Sequence, residues 1–362
     1  MNKIKVGIIF GGKSAEHEVS LQSAKNIIEA IDKEKYEVIL IGVDKEGKWY
    51  LIENDEFLSN MDDPSSISLN KSENLLAIIP GEDKNQLVNL NGYNRLDDID
   101  VVFPILHGPF GEDGTIQGLL KLSNIPFVGA DILGSSVGMD KDVMKRLLRD
   151  SNISIADFIS YNKSEKYNYN DVKQKLGMPV FIKPANLGSS VGISKVNNEQ
   201  EFYKAMELAF EFDNKVIVEE SIKGREIECS VLGNDYPISS LPGEILPSSD
   251  FYSYESKYID ESGAVLEIPA KLTEVEIEKI KSCSLKTYKV LCCKGMARVD
   301  VFLKDDGEII VNEINTIPGF TRISMYPKLW EVSGIKYKEL IDKLIQLAIE
   351  RHNQEKELKT SL

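Results

Sequence analysis

Short apolar runs separated by amphipathic stretches organise the first third of the chain. Residues 4–10 (IKVGIIF), 37–43 (EVILIGV) and 100–106 (DVVFPIL) read as buried strands, with a helical pattern at 21–32 (LQSAKNIIEAID) between the first two. This alternation predicts a parallel α/β sheet. Residues 53–98 are polar, Asn- and Asp-rich and aperiodic, and predict an irregular surface insertion. Further on, 139–150 (MDKDVMKRLLRD) has helical amphipathicity, and 178–196 reads as strand, glycine–serine turn, strand. A helix at 199–212 follows, then strands at "KVIVEESI" and 225–232, a long polar loop at 247–268, and helices at 272–291 and 336–352. No repeat is visible. The pattern divides into three units of about 1–130, 131–218 and 219–362.

The stretch "ARVDVFLKDDGEIIVNEINTIPGF", Ala297 to Phe320, departs from simple apolar strand patterning. Its first strand carries Arg298 and Asp300 on one face, and the return strand carries Glu313 and Asn315 on one face. Paired as a hairpin, the strands gather two carboxylates and an amide oxygen beside a guanidinium. These are hard oxygen ligands of the kind Mg2+ takes, with phosphates and water completing the shell.

Length and composition narrow the class. At 362 residues the chain exceeds one ordinary core. It is 42% hydrophobic and 28% charged, and it lacks the apolar run of about 18 residues that a membrane span needs. The N-terminal "MNKIKVGIIFGGKSAEHEVS" reads as a first strand and not as a signal peptide. A net charge of −15 argues against nucleic-acid or anionic-membrane partners. Any anionic ligand must therefore meet locally placed lysines and arginines. Cys229, Cys283, Cys292 and Cys293 form no CxxC pair and read as buried, reduced thiols of a cytoplasmic protein.

Other segments could also carry chemistry. "KPANLGSSVG" offers backbone N–H groups and two hydroxyls just after Lys183, a phosphate cradle on a hairpin, although a flexible surface turn fits the same letters. "FGGKSAEHEVS" (10–20) follows the first strand where α/β sheets bind ligands, yet helix capping by Ser14, with Glu16 and Glu18 near the helix start, also explains it. His107 in "ILHGPFGEDG" closes a strand among glycines and acids, whereas His17 and His352 read as ordinary surface residues. Lys183 interrupts an apolar strand and is a better phosphate contact than Lys141. Glu219 and Glu226 sit at the ends of strands that either bind a nucleoside or form a plain hairpin.

Lys141, "KPANLGSSVG", Glu219 and the Asp300–Glu313–Asn315 cluster occur in the order of the ATP-grasp superfamily. Within it, "GGKSAEHEVSLQSA", "LHGPFGEDG", "MARVDVFL" and "NEINTIPGFTRISMYPKLW" make the chain similar to the D-alanine–D-alanine ligases of the longer A-type, from Met1 nearly to the C-terminus. The resemblance implies a three-domain ATP-grasp fold, with an N-terminal parallel α/β domain and two α+β domains clasping ATP. It implies that Glu16 and His107 serve the first D-alanine. Lys141 and Lys183 would contact ATP phosphates under a lid containing Ser189 and Ser190. Glu219, Glu220, Ile222 and Glu226 would line the adenine and ribose pocket, with Asn312 on the nucleotide side. Lys257 and Tyr258 would belong to an omega loop closing over the site. Asp300, Glu313 and Asn315 would bind two Mg2+ (or Mn2+) ions. Arg298 and the N–H of Gly319 would stabilise a tetrahedral intermediate, and Ser324 with Met325 would receive the second substrate. Tyr258 and Met325 favour D-alanine over D-lactate or D-serine as that substrate. Arg322 departs from the small or polar residues of relatives and reads as a surface charge. A homodimer is implied, and activation by a monovalent cation is left open. The rival readings are a D-alanine–D-serine ligase or another carboxylate–amine ligase of the superfamily, and an ATP-binding regulator without catalysis.

Overall fold

In the computed structural model the described residues are 3–53, 57–61, 63, 66–82, 84–92, 94–95, 98–247 and 264–359. The N-terminal part contains β1 (Ile4–Gly11), α1 (His17–Ala30), β2 (Tyr36–Val43) and β3 (Trp49–Ile52). The short strands β4 (Leu58–Ser59), β5 (Ser68–Leu69), β6 (Leu76–Ile78), β7 (Leu87–Asn89) and β8 (Asn94–Arg95) follow, then β9 (Val101–Ile105) and α2 (Thr115–Leu122). The sheet order is β3-β2-β1-β9, with β2 and β9 parallel to β1 and β3 antiparallel. Both faces are covered, which is why β1 and β9 are almost continuously apolar. Val6, Ile8 and Phe10 pack with Leu21 and Ile27 on one face, and Ile9, Val102 and Leu120 on the other.

Two expectations are corrected here. The insertion is not irregular: β4–β5 and β6–β7–β8 form small antiparallel sheets. They also send Phe57, Leu58 and Ile67 into the core, with Phe57 edge-on to Phe10 at 5.5 Å. β4, β6 and β7 bury one side chain each and β5 none, too few to show a period. His17 is buried, not on the surface, and its Nδ1 lies 2.8 Å from the Gly12 carbonyl. The helix starts four residues earlier than its apolar period suggests, and this turns His17 back toward the glycine turn.

The central part comprises α3 (Ile132–Met139), α4 (Lys141–Asp150), β10 (Phe158–Asn162), α5 (Tyr169–Leu176), β11 (Val180–Pro184), β12 (Ser194–Val196), α6 (Glu199–Phe212) and β13 (Lys215–Glu220). Its antiparallel sheet runs β10-β13-β11-β12. Alternation assigns the faces: Val180, Ile182, Val216 and Val218 pack on Phe202 and Met206 of α6. The intervening Phe181, Lys183, Ile217 and Glu219 therefore point the other way. Asp140 separates α3 from α4 and caps α4, accepting from the N–H groups of Asp142 and Val143.

The last part comprises β14 (Arg225–Gly233), β15 (Ile238–Ser239), β16 (Gly243–Pro247), β17 (Ala264–Glu267), α7 (Glu274–Val290), β18 (Gly295–Leu303), β19 (Ile309–Asn315), α8 (Met325–Val332) and α9 (Tyr337–Lys356). Its antiparallel sheet runs β17-β16-β14-β18-β19, with β15 on β14. Ile227, Cys229, Val299 and Val301 pack against Ile280 and Tyr288 of α7, so Glu226, Glu228, Arg298 and Asp300 lie on the opposite face. From α9, buried Arg351 donates to the carbonyls of Phe127 and Gly129 at 2.8 and 2.5 Å and stacks over the Phe127 ring. That contact fixes the last helix to the first sheet. All four cysteines are free thiols, but Cys292, in a left-handed turn after α7, is exposed and not buried. No described helix is long and apolar enough to cross a membrane.

Candidate active site

The register of the last sheet builds a grid of polar side chains. Glu228, Asp300 and Glu313 are successive partners across β14, β18 and β19, and Ser230, Arg298 and Asn315 form the next row. Strict alternation would put Asn312 on the apolar face. A bulge intervenes: Asp300 pairs with Glu313 and Val301 with Val311, leaving Asn312 as the extra residue. Both Asn312 and Glu313 consequently face the cleft, where Asn312 Oδ1 lies 3.3 Å from Lys183 Nζ and Glu313 Oε2 lies 3.5 Å from Lys141 Nζ. Arg298 grips Asp300 with two bonds, Nε to Oδ1 at 2.7 Å and Nη2 to Oδ2 at 2.8 Å, and also reaches Glu228 at 2.8 Å. Asn315 Nδ2 donates to Asp300 Oδ2 at 3.0 Å.

The facing sheet contributes a buried charge cluster. Glu219 receives Lys183 at 2.6 Å on one carboxylate oxygen and Lys145 at 2.9 Å on the other. Burial alone would raise the Glu219 carboxyl, but Lys145 and Lys183 outweigh it and bring it down to about 2. Burial likewise opposes the charge on Lys183, and Glu219 with Glu313 reverses that, raising the lysine above its ordinary value. Lys141 is held at the start of α4, where its ammonium donates to the Leu187 carbonyl at 2.6 Å.

The glycine–serine turn between β11 and β12 spans the cleft. Ser189 and Ser190 both adopt left-handed backbone, with φ of 51° and 59°. Ser189 Oγ donates to Glu16 Oε1, a residue that heads α1 in the first unit. Gly108 makes room for that carboxylate: at φ +73° its added Cβ would meet Glu16 Oε2 at 2.5 Å. Beside it, His107 Nδ1 lies 3.0 Å from the Ile317 carbonyl, which can only accept, so this nitrogen carries the proton. Nε2 lies 3.2 Å from Ser23 Oγ, which in turn accepts from the Phe320 N–H at 3.2 Å. Sheets from the beginning, middle and end of the chain thus converge on one cleft.

Two family models match the chain, "D-ala D-ala ligase N-terminus" over residues 5–130 and "D-ala D-ala ligase C-terminus" over residues 147–346. The chain belongs to the D-alanine–D-alanine ligase family. It is 58% identical over 361 residues to the D-alanine–D-alanine ligase of Oceanobacillus iheyensis, covering 99% of each chain. It is 54% identical over 364 residues to D-alanine–D-alanine ligase A of Escherichia coli K12, covering all of both. Among solved structures, the D-alanine–D-alanine ligase of Coxiella burnetii superposes with a TM-score of 0.86 at 38% identity, covering 99% of this chain and 97% of that one. The VanG D-Ala:D-Ser ligase of Enterococcus faecalis gives 0.85 at 38%, covering 96% and 100%. The Bacillus anthracis ligase complexed with ATP gives 0.74 at 31%, covering 98% and 100%. The fold is therefore ATP-grasp.

The remaining residues expected of a ligase of this family are distributed as follows. Glu220 Oε1 accepts from the Asp157 N–H at 2.8 Å, Ile222 is half-buried beyond β13, and Glu226 on β14 acts on Lys183 through its charge. An added Cβ at Gly319 would come within 2.7 Å of Ser324 Oγ. Ser324 precedes α8, but its hydroxyl bonds Thr321 and does not cap the helix. The Met325 side chain is packed with Ile245 and Leu329. Arg322 is exposed. Lys257 and Tyr258 lie outside the described residues; the strands β16 and β17 pair up to Pro247 and Ala264. The sequence reading missed Lys145 and Glu228. Lys145 sits on the amphipathic helix as one of four basic residues, and only the helix phase against β13 would have marked it as buried.

Proposed function

We propose that the protein joins two D-alanines into D-alanyl-D-alanine, with ATP converted to ADP and phosphate, and so supplies a peptidoglycan precursor in the cytoplasm. One observation carries this reading: the lid serine Ser189 bonds Glu16 at the head of α1, while Lys141 meets Glu313 and Lys183 meets Glu219 across the other two sheets. The units 1–130, 131–218 and 219–362 would close on one another around ATP.

In this reading the Glu16 carboxylate pairs with the ammonium of the first D-alanine, which leaves the substrate carboxylate aimed at the γ-phosphate. His107, fixed by Ser23 and Ile317, sits beside it. Lys141 and Lys183 take ATP phosphates, Ser190 joins the lid, and Glu219, Glu220, Ile222, Glu226, Lys257 and Asn312 serve the nucleotide. The carboxylate oxygen attacks the γ-phosphorus, the bond to ADP breaks, and an acyl phosphate forms. The amine of the second D-alanine then attacks the acyl carbon, and phosphate leaves with that oxygen. Arg298 and the Gly319 N–H stabilise the oxyanion between these steps. Ser324 and the backbone N–H of Met325, at the start of α8, receive the carboxylate of the second D-alanine. Water would destroy the acyl phosphate, which gives the Ser189 lid and the Tyr258 loop their purpose.

Asp300, Glu313 and Asn315 fit two Mg2+ (or Mn2+) ions as donors. They offer hard oxygens, and no described trio of His, Cys, Asp or Glu forms an all-protein cage, consistent with a metal that keeps phosphate and water ligands. Asn315 must turn its amide so that Oδ1 replaces Nδ2. Such ions neutralise charge on the transferring phosphoryl group. A homodimer accords with the family.

D-Serine as second substrate is the alternative, and the apolar packing of Met325 argues against it, because no cation stands at that position. The test supplies Mg-ATP with D-alanine alone, or D-alanine with D-serine or D-lactate, and separates the products. D-Alanyl-D-alanine formed with stoichiometric phosphate is expected. Preferential formation of a mixed product would overturn the substrate assignment.

A further inference from the structure

Two buried ammonium groups share the Glu219 carboxylate, and only one of them has a part in the reading above. Lys183 lies on β11 at the cleft wall, bridging Glu219 Oε2 and Asn312 Oδ1. Lys145 lies one helical turn after Lys141 on α4, is fully excluded from solvent, and reaches Glu219 Oε1 at 2.9 Å. Its ammonium has no other ion-pair partner among the described residues. We propose that Lys145 is a positioning residue for nucleotide binding: it is the permanent counter-ion of Glu219, and it releases Lys183 to move from Glu219 to the ATP phosphates. The inference rests on the reading of Lys183 as a phosphate contact.

The physical argument concerns what is left behind when Lys183 turns toward an anion. A buried carboxylate stripped of its last partner is strongly unfavourable. With Lys145 in place the pair that remains is net neutral, and Lys183 can exchange one anionic partner for another at little cost. Without it, Glu219 and the phosphates compete for a single ammonium. The sharing is mutual: burial, with the Lys183 charge, holds the Lys145 ammonium below its ordinary value, and the Glu219 carboxylate beside it opposes that. Two carboxylate oxygens, each facing one lysine from a different element, give this exchange a defined geometry.

The test separates phosphate binding from everything else by comparing ATP with adenosine, both in magnesium chloride, on the full-length protein. The readout is the ratio of the two dissociation constants, adenosine over ATP. K145M should lower this ratio at least tenfold while leaving adenosine affinity within threefold, because adenosine makes no demand on Lys183. K145R should retain most of the ratio. The double variant K145M/E219Q removes both charges and leaves Lys183 unclaimed, so its ratio should return to within threefold of the unmodified protein. Should K145M fail to fold, the double variant still decides, because Lys183 is then the one charge of the three that remains, with no Glu219 carboxylate to compete with phosphate for it. A K145M ratio equal to that of the unmodified protein, or a double variant still tenfold low, would overturn the proposal. K183M is the independent control: an unchanged ratio there would mean that Lys183 does not meet phosphate, whatever Lys145 does.

Discussion

At the residue scale, the site depends on a few side chains whose surroundings set their charge. Glu313 faces Lys141 and stands opposite Asp300, so it presents a carboxylate where phosphoryl transfer would concentrate charge. Glu313→Gln keeps the shape and removes that charge. Loss of several kcal/mol of transition-state stabilisation corresponds to a drop in kcat on the order of 10³ or more. The expected outcome is such a drop with an unchanged circular dichroism spectrum and melting temperature; dipeptide synthesis at the normal rate would remove Glu313 from the metal site. Asp300, Glu313 and Lys183 were legible in the sequence because each interrupts an apolar strand. Lys145 was not, since a lysine on an amphipathic helix looks solvated until the neighbouring strand is in place. The Asp300 grip by Arg298 was half legible: alternation put the two on one face, but Glu228 joins them only through the register of β14 against β18.

At the element scale, hairpins and turns bring chemistry from separate sheets together. The main strands and most helices could be read from periodicity, and the β18–β19 hairpin from its alternating acids. The bulge that swings Asn312 into the cleft could not be read, because it depends on a shift between paired strands. Nor could the short strands of the insertion, whose isolated apolar residues acquire a pattern only when packed. A bond from Ser189 to Glu16 joins the lid turn to the head of α1. A hydrogen bond to a charged group contributes about 1.5–3 kcal/mol. Ser189→Ala should therefore lower kcat/KM for D-alanine by roughly ten- to hundredfold, with the melting temperature unaltered and proteolytic cleavage within the lid accelerated. An unchanged kcat/KM together with unchanged cleavage would show that this bond does not hold the lid.

At the scale of the whole molecule, three sheets supply one cleft, and Arg351 secures the last helix to the first sheet so that the parts keep their alignment. The central claim is that the carboxylate of one D-alanine becomes an acyl phosphate within that cleft before the peptide bond forms. Carboxyl-labelled [18O2]D-alanine tests it most directly, with the released phosphate analysed by mass spectrometry. The account predicts one 18O in each phosphate formed and one in the new peptide carbonyl. Phosphate released without label during dipeptide synthesis would contradict it.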